Sequence, residues 1–115
     1  MPPKHNPLNL NPLQLKTLTL LQALAGIEGH VIRTEEDGSV LVAGIPAPHG
    51  DHFHLGDAVV ASRDATGLGN EAAWVALERK GLIQSHFPQG ATLTPAGLDY
   101  DTGLTDVILH RHHGH

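Results

Sequence analysis

Histidine carries most of the chemistry this chain can offer: ten of its 115 residues are His and none is Cys. Three of them, His49, His52 and His54, crowd into the stretch PHGDHFH with Asp51 between them. Neutral imidazole nitrogen binds Zn, Ni, Cu or Fe, and three such nitrogens plus a carboxylate complete a tetrahedral site. In an extended backbone His52 and His54 project from the same side, because side chains alternate with a period of two. The Pro48-His49-Gly50 turn could fold His49 back toward them. His30 and His86 are candidate ligands from elsewhere in the chain, and Asp51 could instead accept a hydrogen bond that orients an imidazole. A solvated polar loop is the plainer account of the same residues, since no zinc-finger spacing is met. The stretch nominates His49, Asp51, His52 and His54 for a divalent transition metal, with Zn, Ni and Cu all open.

The C-terminal run of His110, Arg111, His112, His113, Gly114 and His115 reads as a flexible polar end, with weak adventitious metal binding as the alternative. Other reactive groups are sparse. Without Cys there is no disulfide framework, thiolate metal site or cysteine nucleophile. The three serines (Ser39, Ser62, Ser85) lack a nucleophile-elbow setting, and no carboxylate pair sits in an apolar context suited to acid/base work. Gly67 to Ala72 matches G-x-G-x-x-A, but Arg63 to Thr66 separate it from any strand, so it reads as a turn before a helix cap. The expectation is a protein that is not an enzyme.

The positioning elements follow from capping and turn chemistry. Residues 1–10, with Pro2, Pro3 and Pro7, have no periodicity and read as a flexible lead. Asn11 caps a helix that has Pro12 at its first position and Gln14 at its third, with Leu10 and Leu15 placed as a hydrophobic staple. Leu13, Leu20, Leu21 and Leu24 share a face, and Gly26 stops the helix. His30 to Thr34 and Val40 to Ile45 read as strands around the Asp37-Gly38 turn, and Pro46 and Pro48 end the second. Residues 57–62 suit either a short helix capped by Asp57 or a strand after a Gly56-Asp57 turn, and the helix is preferred. Asn70 caps a helix reaching Lys80, with Trp74 as a core anchor and Gly81 as the stop. Leu82 to Phe87 and Ala91 to Thr94 form two strands around Pro88-Gln89-Gly90, with Pro88 second in the turn. Thr94-Pro95 starts a helix to about Tyr100, and Val107 to Leu109 is a final strand. With only 3% aromatic residues, the core must come from Leu, Val, Ile and Ala.

The stretch from Ala72 to Leu98 resembles the C-terminal half of winged-helix proteins, which carry an "LE-[RK]-x-GLI … v-LTpaG" pattern. The matching residues are Leu77 to Ile83 and Leu93 to Gly97. The resemblance implies that Asn70 to Lys80 ends as a recognition helix, that the following hairpin is the wing, and that LTPAG opens the next helix. It also implies DNA binding and transcription regulation, with winged-helix protein-interaction modules as a further use of the scaffold. Many such regulators pair through terminal helices, a role open to the Leu-rich first helix. The expected architecture is one α+β domain over residues 11–109, winged-helix-like with an inserted β-hairpin, followed by a His-rich tail at 110–115.

Charge narrows the partners. The formal net charge is -5 with neutral His, so no general basic field attracts nucleic acid. Protonating all ten His would reverse that sign as pH falls through the imidazole range. The helix from Asn70 to Lys80 balances Glu71 and Glu78 against Arg79 and Lys80, and the wing has no Lys or Arg. Phosphate contacts would therefore fall to Arg63, Arg79 and Lys80, with Asn70 or Glu71 nearest base edges. No apolar run approaches membrane-spanning length and no secretory h-region follows Met1, so a soluble, cytoplasmic protein is expected.

Overall fold

The computed structural model describes residues 6–47 and 50–111. His49, the tail residues His112 to His115 and the first five residues lie outside the described residues. Helix α1 (Pro12–Ala25) begins as its cap chemistry requires: the Asn11 side chain accepts from the Gln14 amide at 2.8 Å, and the Gln14 side chain accepts from the Asn11 amide at 3.0 Å. The helix is buried on more than one side. Leu18, Leu20, Leu21 and Leu24 are fully buried, and so are Thr17 and Thr19, whose hydroxyls donate to the Leu13 and Leu15 carbonyls. A helix that is apolar on several sides belongs in the middle of a core. The described part of the lead has no helix or strand, yet it is held down. The Asn6 carboxamide makes two hydrogen bonds with the Leu10 backbone, and the Leu8 amide donates to the Tyr100 hydroxyl.

Two antiparallel sheets accompany α1. One contains β1 (Val31–Thr34), β2 (Val40–Ala43), β5 (Ile83–His86) and β6 (Gly90–Leu93), in the order β1-β2-β6-β5, and α1 packs on its β2 and β6. Its rows Val40/Leu93/Ile83 and Val42/Ala91/Ser85 face the helices, while Leu41/Thr92/Gln84 face outward. The other sheet has β3 (His52–Leu55), β4 (Ala58–Ala61) and β7 (His110–Arg111), in the order β3-β4-β7. Between β4 and α2 (Glu71–Arg79) the chain makes two short 3₁₀ turns, Ser62–Asp64 and Thr66–Gly69. After β6 come α3 (Pro95–Asp99) and α4 (Thr105–Ile108). The described residues form a small α+β domain with four α-helices and two antiparallel sheets, and among them no helix is long and apolar enough to cross a membrane.

Three local expectations need correction. Residues 58–61 are strand, not helix: Leu55 pairs with Ala58 across the two-residue Gly56-Asp57 turn, and alternate residues Ala58 and Val60 are buried. Gly56 takes φ +61°, the left-handed conformation such a turn needs. The segment after α3 is also different. Thr105–Ile108 is a helical turn, and the final strand falls on His110–Arg111, inside the stretch read as tail. The β5–β6 turn is framed by the Gln89 amide donating to the His86 carbonyl, which makes Pro88 third rather than second.

Candidate functional site

The two nominated sites sit on different elements. The cationic one surrounds α2. Asn70 is its N-cap, and the Asn70 side-chain oxygen accepts from the Ala72 amide at 3.1 Å. That bond holds the side chain against the helix end, and among the described residues the amide Nδ2 makes no hydrogen bond within the helix. Glu71 is exposed at the positive end of the helix dipole, and Arg79 and Lys80 are exposed at the negative end, where each charge is favourable. Arg63 is exposed in the turn that precedes the helix. The opposite face of α2 buries Ala73, Trp74 and Leu77. Trp74 is fully buried; its indole donates to the Gly67 carbonyl at 3.0 Å and meets Phe87 edge-on, ring centroids 5.2 Å apart. It thereby ties the turn, the helix and the β5–β6 hairpin together.

Ion pairing separates the described cations into two sets. Lys16 pairs with Asp64 at 2.9 Å, Arg33 with Glu35 at 2.7 Å and Arg111 with Asp57 at 3.0 Å. Arg63, Arg79 and Lys80 have no carboxylate partner among the described residues. The Gly67-x-Gly69 turn gives no phosphate cradle. Gly67 is buried against α1, where an added Cβ would lie 1.8 Å from the Thr17 hydroxyl.

The histidine site is on β3. Phe53 and Leu55 turn inward and are buried, which forces His52 and His54 onto the exposed face. Their rings stand edge to face with centroids 5.9 Å apart. Asp51 is exposed at the entry to the strand, and its carbonyl accepts from the Ser62 amide at 2.9 Å. The structure does not bring His30 and His86 to this pair: among the described residues no three His, Asp or Glu side chains converge on one point. His30 Nδ1 is within 2.9 Å of the Ala43 carbonyl, and His86 lies beside Thr92 on the other sheet. His49 lies outside the described residues. His110, part of the stretch read as tail, stands on the same sheet as the pair. The register His54/Val59/His110 puts it on the same exposed face. Only strand pairing between residues far apart in sequence reveals that.

An open depression of about 1050 Å³ lies elsewhere, on the outward face of the four-stranded sheet. Ile32, Leu41, Gln84 and Thr92 line it, and Glu35, Glu36 and Asp37 rim one end. Comparison with known proteins returns no matching family model, no matching curated protein and no matching solved structure.

Proposed function

We propose that this chain is a non-enzymatic regulatory module of winged-helix type that docks on duplex DNA through Arg63, Arg79 and Lys80. The observation that carries the reading is the division of cations: the three residues nominated as phosphate contacts are those without an ion-pair partner among the described residues. A paired surface cation must give up its carboxylate before it can bind phosphate, whereas an unpaired one need not. The order α2, β5–β6 hairpin, Thr94-capped α3 supports the winged-helix assignment, because it is the order that the LERKGLI…LTPAG resemblance implies. The hairpin exposes Gln84, His86 and Gln89, which are polar and carry no Lys or Arg. Its part is orientation of the domain on the duplex, with the attraction coming from the ends of α2.

Three phosphate contacts predict weak, sequence-independent affinity with a log–log salt slope of about -3 on random duplex. Fluorescence anisotropy across a salt series measures it. Arg79→Ala and Lys80→Ala are each expected to lower the slope by about one unit. A flat slope in the parent removes the DNA reading and leaves protein interaction as the use of the scaffold.

A further inference from the structure

We propose that His52 and His54 form a chelating pair for one divalent transition-metal ion of the zinc class on the exposed face of the β3-β4-β7 sheet. The proposal is independent of DNA binding and rests on three observations.

The first is geometry. Two imidazoles that share one tetrahedral ion hold their ring centroids about 5 Å apart, given the Zn–N bond length. The His52 and His54 rings are 5.9 Å apart, so an adjustment on the order of an ångström within side-chain torsions brings them to that spacing. The backbone need not move. Phe53 and Leu55 anchor the strand in the core, and all four β3 residues are in register with β4.

The second is availability. His30 and His86 each have a protein partner at a ring nitrogen. Neither the His52 nor the His54 ring is hydrogen-bonded to another group among the described residues. Both side chains are exposed, so a metal can reach them without displacing a hydrogen bond.

The third is room for the rest of the coordination sphere. His52, Val59, Ala61, His110 and Arg111 line a groove of about 420 Å³ beside the pair. Val59 and Ala61 are small enough to keep that space open, and water or an incoming ligand would occupy the remaining positions. Arg111, the one cation in the groove, is held by Asp57 at 3.0 Å, which offsets its charge. With two protein ligands the site is open and exchangeable, unlike a closed structural zinc site.

Zinc titration of the full chain by calorimetry tests this, run on the parent and on a variant carrying His112→Gln, His113→Gln and His115→Gln. The expected result is one Zn²⁺ per chain that survives the tail substitutions. His52→Gln or His54→Gln, made in that background, should weaken it by about tenfold or more while far-UV circular dichroism stays that of the parent. The proposal is overturned if the tail substitutions abolish stoichiometric binding. It is equally overturned if the His52→Gln/His54→Gln double variant binds zinc as tightly as its background.

Discussion

The two hairpins between Val31 and Ala61 and the unit running from Asn70 to Asp99 are both assembled from four-residue strands, but they hold their shape by different means. The hairpins depend on their turns. In β1, Ile32, Arg33 and Thr34 are exposed, Ile32 by 61%, and β3 buries only every second residue. The turns are closed by Gly38 and Gly56 in left-handed conformations and by the Asp37 carboxylate, which accepts from the Ser39 amide at 2.8 Å. In the later unit Trp74, Leu77, Leu82, Ile83, Ala91 and Leu93 are all almost completely buried. Its backbones touch as well: a Cβ on Gly97 would lie 1.9 Å from the Leu82 carbonyl, so only glycine lets α3 rest there. The difference bears on what each region can do. Exposed side chains on a thin sheet can readjust around a small ion. Arg79 and Lys80 are carried by a deeply packed helix, which fixes their backbone positions.

The comparison can be broken most decisively at Trp74. Trp74→Ala removes the largest buried side chain and leaves the Gly67 carbonyl without its donor, so a loss of about 3–5 kcal/mol is expected in urea unfolding. A loss under about 1 kcal/mol would show that the unit is not packing-dependent. A smaller effect belongs to Asn70→Ala, which deletes the cap of α2 and is expected to cost about 1 kcal/mol by the same measurement. Arg79→Ala, at the other end of α2 and exposed, should change stability by less than about 0.5 kcal/mol, so that any loss of DNA affinity in that variant reports contact and not folding.

The smallest effect lies in the hairpin turn. Hydrogen bonds from the Ser39 backbone, and then from its side chain, hold the Asp37 carboxyl below the usual carboxylate range. A depressed folded-state pKa contributes stability that is present above the unfolded value and is lost as pH falls through the folded value. Acid unfolding of the parent should therefore steepen below about pH 4, and Asp37→Asn should flatten that part of the profile by being slightly less stable than the parent at neutral pH and converging with it in acid. An unchanged acid limb in Asp37→Asn would show that this turn contributes nothing through its charge.

Much of the helical framework was legible in the residues. Asn11-Pro12-x-Gln14, Asn70 and Thr94-Pro95 each cap the helix they were expected to cap, and Gly26 takes its expected place at the end of α1. Residues 57–62 were not legible, because Asp57 can begin a helix or complete a two-residue turn, and the choice rests on whether β3 lies alongside. The candidate sites divided in the same way. That His52 and His54 share a face follows from alternation alone, whereas His110 joins that face only through β4.

Capping, turn residues and strand alternation are interactions of a residue with neighbours at most a few positions away, so the amino-acid order by itself determined the starts of α1, α2 and α3, the first hairpin and the residue types available for chemistry. Tertiary structure decided the rest. It converted 58–61 to strand by pairing it with β3 and β7, and it enclosed the leucines of α1 between sheet and helices. It also tied Arg111 to Asp57 across 54 positions of chain while leaving Arg63, Arg79 and Lys80 without partners among the described residues. Those outcomes depend on which distant groups meet, and that is set by how apolar surface is most completely buried over the whole chain.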